Sequence, residues 1–358
     1  MNKKITGLVL CAVAVLSLAS CKSASVLKTK EVTNKLKQTS VILENGIPQC
    51  EEYEYFNTKF KKDFTVPGLF EGFIPQGICV DADKDNVIIS GYFENGEYPS
   101  MLTVTDKKTG KLIKYVSLCD CDGKDFFGHA GGVAYSDGYF YVTTGFEAFI
   151  ISAKTLYGAE NGDTVSFESN FKLNTKGSFC NISNGIFWTG TFTENSEEEH
   201  KNAKVTTLSN GESLYSYCEG YKLEDGLPNV NNLNPEKNGY IPDFYIAVPD
   251  EVQGITVTPT GTFIFSTSYG RKSNSKLIFY DDILSGKKIS AEKIDGYDID
   301  LIACSGDKIK KEIELPPMSQ GIDYKNGILY VLFESGASKY RSHGGKYPAD
   351  SVYTFKFD

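Results

Sequence analysis

The feature that most constrains this 358-residue chain is a motif it repeats. Gln76-Gly77-Ile78, Gln253-Gly254-Ile255 and Gln320-Gly321-Ile322 each open an apolar, β-branched run that reaches a turn and is followed by a second such run. Gly131-Gly132-Val133 and Ser178-Phe179-Cys180 occupy the same place in two weaker copies. A turn glycine follows seven residues after the first position in three copies (Gly138, Gly185, Gly327) and eight in a fourth (Gly261). Only the first copy stretches its turn, through Asp81-Ala82-Asp83-Lys84-Asp85-Asn86. Successive copies start 55, 47, 75 and 67 residues apart. Short strands at such a period, with no sustained helical periodicity, predict an all-β chain built as a single β-propeller of four-stranded blades. Five copies predict five blades over residues 50–358; a sixth would have to hide in an insertion, residues 281–310 being the candidate. The last copy runs out of chain after three strands. Residues 59–66 carry the matching pattern and are expected to complete that blade, which closes the ring and leaves no open sheet edge. In the third copy the third strand is expected over residues 213–217.

The N-terminal residues predict an exported, lipid-anchored protein. Lys3 and Lys4 precede an apolar run over residues 5–18, and Leu18-Ala19-Ser20-Cys21 ends it with small residues before a cysteine. A run this short with a cleavage pattern behind it reads as a signal peptide over residues 1–20 rather than a membrane span. The pattern resembles a lipobox, which implies an acylated (palmitate-bearing) Cys21 as first residue of the mature chain, on the cell membrane or outer membrane and facing away from the cytoplasm. Residues 21–49 are expected to form a flexible tether. Lys22, Lys28, Lys30, Lys35 and Lys37 against Glu31 give its first part a charge of +4, suited to anionic head groups. The whole chain carries −9, so no nucleic-acid partner is expected, because phosphate neutralisation needs a basic surface. Nine cysteines are present. With Cys11 in the signal and Cys21 acylated an odd number remains, and Cys119 and Cys121 lack the C-x-x-C spacing of redox and zinc sites, so few or no disulfides are expected.

Pro75-Gln76-Gly77, Gly128-His129-Ala130-Gly131-Gly132 and the Tyr-rich strands between them resemble a family of secreted or lipid-anchored bacterial propellers without an assigned function. More distantly the chain is similar to the calcium-dependent phosphotriesterase and gluconolactonase propellers. That likeness implies calcium held by carboxylates and asparagines at the channel, whereas Gln76, Gly131, Ser178, Gln253 and Gln320 stand at the strand entries here. No metal site or cofactor is therefore expected, with calcium kept as the lesser alternative.

Propeller geometry puts the loops entering each innermost strand, and those joining second to third strands, around one mouth of the central channel. The longest insertions, residues 93–100, 191–212, 269–275 and 335–350, fall there, and long loops on a rigid scaffold are where binding resides. The expected ligand-binding residues are Gln76, His129, Gln253, Tyr269, Arg271, Gln320 and Arg341, a set suited to a polar small molecule, a glycan or another protein through amide hydrogen bonds and aromatic stacking. The Gln-Gly pairs also have a purely structural reading, with the amide bonded to nearby backbone and the glycine permitting close blade packing. His200 falls in an acidic insertion expected to be solvated. Two functions stay open: a binding lipoprotein, or a hydrolase or lyase (lactonase-like, esterase-like or carbohydrate-active) at the same mouth. No catalytic residue is assigned; Glu94, Glu147 and Glu334 are the carboxylates whose position relative to His129 would separate the two.

Overall fold

The computed structural model describes residues 36–41, 51–342 and 347–356. The signal segment, Cys21 and His343 lie outside them. Within them the chain is mostly β, a propeller-like arrangement of small antiparallel sheets.

The two inner strands of three copies are joined by two-residue turns. Ser136 pairs with Tyr139, Ser183 with Ile186 and Lys325 with Ile328. The residues between them are Asp137-Gly138, Asn184-Gly185 and Asn326-Gly327, and all six have positive φ. That is the conformation a tight hairpin needs to match strand twist, and Asn-Gly and Asp-Gly reach it at least cost. The hairpins grow into sheets of four or more strands. The first contains Phe73–Asp81, Asn86–Phe93, Met101–Asp106 and Leu112–Cys119; the second Gly132–Ser136, Tyr139–Thr144, Glu147–Ser152 and Ser169–Lys172. The third contains Phe179–Ser183, Ile186–Gly190, Ser216–Glu224 and Phe244–Val248, and the fourth Val252–Val257, Phe263–Thr267, Ser275–Tyr280 and Ile309–Leu315. The last joins Ser319–Lys325, Ile328–Phe333 and Ser351–Lys356 to the N-terminal strand Phe60–Thr65, which pairs antiparallel with Ser351–Lys356.

Each inner strand packs on that of the next sheet, and the last packs on the first. The repeated glycine makes this approach possible. A Cβ on Gly77 would lie 2.4 Å from Val133 N, one on Gly132 2.2 Å from Cys180 N, and one on Gly321 2.9 Å from Gln76 O. In the third copy Phe179 takes the glycine's place and packs with Trp188, Val252 and Ile255 in the layer between the third and fourth sheets. The core is divided into such layers. Val104, Val116, Val133 and Phe140 lie between the first two sheets, and Ile264, Leu277, Val331 and Phe333 between the last two.

Three features depart from the sequence expectations. The third strand of the third sheet is Ser216–Glu224, while Ser213–Leu214 pairs with Thr206–Thr207 in a separate small hairpin. Residues 281–310 supply no sheet of their own; Ser290–Ile294 and Tyr297–Ala303 form a hairpin that adds, in parallel, to the edge strand Phe244–Val248. Part of the expected tether is docked. Leu36 is buried, Gln38 donates to Thr65 O and Gly110 O and accepts from Leu112 N, and Val41 N donates to Asp350 Oδ2. These contacts satisfy backbone groups that a free tether would leave to water.

Candidate functional site

The glutamines of the repeat sit at irregularities in the inner strands. Register shifts between Pro75 and Gly77, between Val252 and Gly254, and between Ser319 and Ile322. In the second and third copies Gly131 N donates to Thr143 O and Ser178 N to Gly190 O, although Thr143 and Gly190 already face Gly132 and Phe179. An extra residue at a strand's start re-aims its side chain out of the normal alternation. Here it delivers Gln76, Gln253 and Gln320, with Gly131 and Ser178, to the wall of one cavity of about 390 Å³, together with Tyr92, His129, Lys176, Phe192, Glu334 and Tyr340.

Glu334 follows the strand Ile328–Phe333 and is 8% exposed. Its Oε2 accepts from Gln76 Nε2 at 2.8 Å, and Gln320 and Tyr340 also hydrogen-bond to it. Burial pushes its carboxyl up to about 7, against the pull of those three donors and of Lys339. Two of the repeated glutamines thus serve a buried carboxyl. Gln253 is half-buried and, among the described residues, makes only a long bond, 3.4 Å, to Ser268 O.

A second strip of the wall is aromatic. Tyr92 stacks on His129, with ring centroids 4.3 Å apart and planes 16° from parallel. Lys339 lies over the rings of Tyr92 and Tyr340, at 5.8 and 5.3 Å from their centroids, and Arg271 lies 5.4 Å from the Tyr340 centroid. His129 has its backbone fixed by a 3.0 Å bond from its N–H to Thr144 Oγ1. Its imidazole keeps an exposed edge, yet loss of water around it, then Lys339 and Lys176, hold its pKa below the usual value and favour the neutral ring. The loop carrying Lys176 is held from behind by Glu219, whose Oε1 accepts from Asn174 N and Thr175 N at 3.1 and 3.2 Å. Glu219 is itself buried and its carboxyl is pushed up to about 7.

Of the seven residues expected to bind ligand, Gln76, His129, Gln253 and Gln320 converge on this cavity. Tyr269, Arg271 and Arg341 do not line it. Tyr269 is 43% exposed beside Phe192, with ring centroids 6.2 Å apart. Arg341 donates from Nε to Gly336 O at 2.8 Å and sits over Phe70, so it ties loop to loop. Glu334 is the carboxylate that shares the cavity with His129; Glu147 instead accepts from Lys172 and Asn170. The acidic insertion is exposed at Glu197, Glu198 and Glu199, but His200 is partly buried: its Nε2 lies 2.8 Å from Asp250 Oδ2 and its ring stacks on Tyr215 at 3.7 Å. The turn at Asp81 closes on itself, with Asp81 Oδ1 accepting from Asp83 N and Lys84 N.

The mouth does not fit calcium, a hard cation that takes six to eight oxygens including carboxylates. One carboxyl is present, and the amide nitrogen of Gln76 is turned toward it. The described cysteines, Cys79, Cys119, Cys121, Cys180, Cys218 and Cys304, are all free thiols.

No family model matches the chain, and no curated protein matches it. Among solved structures it is distantly similar to propeller proteins. A luciferin-regenerating enzyme is 10% identical, with TM-score 0.39, covering 79% of this chain and 91% of that one. A PQQ-bound aldose sugar dehydrogenase from Streptomyces coelicolor is 13% identical, with TM-score 0.43, covering 83% and 97%. A glutaminyl cyclase from Myxococcus xanthus is 9% identical, with TM-score 0.39, covering 80% and 93%. These likenesses concern the fold alone.

Proposed function

We propose that this chain is an extracytoplasmic lipoprotein, anchored through Cys21, whose propeller has five blades closed by the N-terminal strand and binds a small polar ligand at the channel mouth. The observation that carries the binding reading is the convergence of Gln76, Gln253, Gln320 and His129, from four different sheets or their entry loops, on one cavity of about 390 Å³. Repetition of a glutamine at a strand irregularity supplies donors and acceptors around a common axis, and Tyr92, Phe192 and Tyr340 supply flat apolar faces beside them. Such a combination of convergent polar groups and aromatic walls holds polar ligands in orientation. The five-blade reading is supported by the cyclic packing of the inner strands and by the absorption of residues 281–310 into the third sheet's edge. The anchor is supported by the Leu18-Ala19-Ser20-Cys21 pattern.

Melting the protein against a panel of glycans, sugar acids and amino acids tests the binding reading. A ligand present at a hundred times its Kd stabilises by about 2.7 kcal/mol, a readily measured shift. A panel that leaves the melting temperature unchanged throughout counts against it.

One observation favours a second reading, hydrolysis or lysis at the same mouth. Glu334 and His129 share the cavity, and a carboxyl held near neutrality is matched to proton transfer at physiological pH. Turnover of a lactone, ester or glycoside that is lost in Glu334→Gln while binding persists would establish this reading over the first.

A further inference from the structure

The charges around the mouth indicate the ligand's own charge. Glu334 is the single carboxyl on the cavity wall, and it is bonded by neutral donors: the Gln76 and Gln320 amides and the Tyr340 hydroxyl. Lys176 is exposed on the wall and has no ion-pair partner among the described residues, while Lys339 lies over the Tyr92 and Tyr340 rings and acts on Glu334 at longer range. His129 is biased toward the neutral ring by loss of water around it and by these two lysines. A buried carboxyl whose direct partners are neutral donors, with Lys339 acting only at longer range, can exist as the acid. With Glu334 in the acid form, the charge left on the wall is that of Lys176, which is complementary to an anion.

We infer that the channel mouth takes up a small carboxylate-bearing ligand, with its anion facing Lys176 and with one proton retained on Glu334 in the complex. The inference rests on the mouth being the ligand site. When Glu334 is ionised, the cavity presents a second negative charge in a poorly hydrated place, and the anion is repelled. Only the protonated form is competent, so apparent affinity scales with its population. The groups that face Glu334 are Gln76, Gln320, Tyr92 and Tyr340, with Lys339 acting at longer range; His129 and Lys176 complete the wall.

The test uses two matched pairs, galacturonate with galactose and benzoate with benzamide. Both acids are ionised from pH 6 to pH 8. Affinities are measured by calorimetry on the full-length chain at pH 6, 7 and 8, in two buffers of different ionisation enthalpy. With a carboxyl midpoint of about 7, the carboxylates are expected to bind about tenfold more weakly at pH 8 than at pH 6, with proton uptake on binding at pH 8, while the neutral partners show neither effect. Glu334→Gln, which mimics the acid, is expected to abolish the pH slope and keep the pH 6 affinity at pH 8. His129→Asn keeps the slope, which separates the two titrating groups. Lys176→Gln weakens the carboxylates selectively.

Carboxylates that bind no more tightly than their neutral partners, or more tightly as pH rises, overturn the inference. Galactose or benzamide binding at the mouth would then leave the binding reading standing. Failure of all four probes overturns the inference as well, and it reaches the binding reading only if the broader ligand panel also fails.

Discussion

The hub glycines allow a quantitative test of how the sheets come together. In Gly77→Ala the new methyl carbon would lie 2.4 Å from Val133 N, 2.6 Å from Ser90 Oγ and 2.7 Å from Gly132 C. Two of these three atoms are backbone of the next sheet's inner strand, so a rotamer change cannot relieve the clash. Overpacking a core by one methyl costs about 1–3 kcal/mol when side chains can yield. With backbone in the way the cost should be at or above the top of that range, about 3 kcal/mol. Unfolding entropy near 2.1 cal/mol/K per residue over roughly 300 residues converts this to a drop of about 5 °C in melting temperature. Gly254 and Gly321, whose nearest contacts are 2.9 Å, should tolerate alanine better than Gly77. Gly158→Ala is the control, because no atom lies within 4 Å of its Cβ position and its φ is not positive. It should be neutral or stabilising by up to about 1 kcal/mol through the unfolded chain. The assay is thermal unfolding followed by circular dichroism on all four variants. If Gly77→Ala melts with Gly158→Ala, close packing at the hub is not the reason for the repeated glycine.

Three further outcomes follow from the same geometry. A chain truncated through Val66 loses the strand Phe60–Thr65, with Phe60 and Phe64 buried, and should melt many degrees below one truncated through Lys35, as scanning calorimetry would show; equal melting would refute closure by that strand. Glu219 and Glu334 both have folded-state carboxyls raised to about 7, so the folded chain binds protons more tightly than the unfolded chain. Their contribution is intact below the unfolded value near 4.5 and is lost as pH rises through 7, at most about 3 kcal/mol each, so melting temperature should fall from pH 5 to pH 8 and fall less in Glu219→Gln/Glu334→Gln. Cys21→Ala should abolish acylation and leave precursor, read as loss of radiolabelled palmitate; a variant still cut and acylated there would refute the anchor.

The inner strands were legible in the sequence because each copy carries at least one of two local signals, a glycine closely packed on the next inner strand or an Asn-Gly or Asp-Gly turn with positive φ at both residues, and the second and fifth carry both. The N-terminal strand was legible because the last copy runs out of chain after three strands and residues 59–66 carry the matching pattern, and Phe60–Thr65 does pair with Ser351–Lys356. The added edges were not. Thr164–Ser166 and Tyr297–Ala303 pair in parallel with strands far away in sequence, and their pairing depends on where the third dimension brings them. In the third sheet the strand Ser216–Glu224 contains Gly220 and the buried Glu219, which break an apolar pattern, and the preceding insertion obscures its start. Within the site the glutamines stood out through repetition. Glu334 stood only as one of three carboxylates beside Glu94 and Glu147, because nothing local in the sequence shows that Gln76, Gln320 and Tyr340 surround it. Arg341 looked like a ligand residue for the opposite reason: a charged side chain in a long mouth loop gives no local sign that Gly336 O and Leu69 O already hold it.

The central claim is that the ligand sits among the repeated glutamines and His129. The most direct measurement is the affinity of His129→Ala and Gln253→Ala for a ligand found by the melting panel, taken with the melting temperatures of the same variants. Neither side chain anchors a strand: the His129 backbone bond survives the substitution, which removes the ring's stacking on Tyr92, and among the described residues Gln253 makes only its 3.4 Å bond. The account predicts that each variant binds about 1–3 kcal/mol more weakly while melting close to wild type. Wild-type affinity in both variants would contradict it and place the ligand somewhere other than the channel mouth.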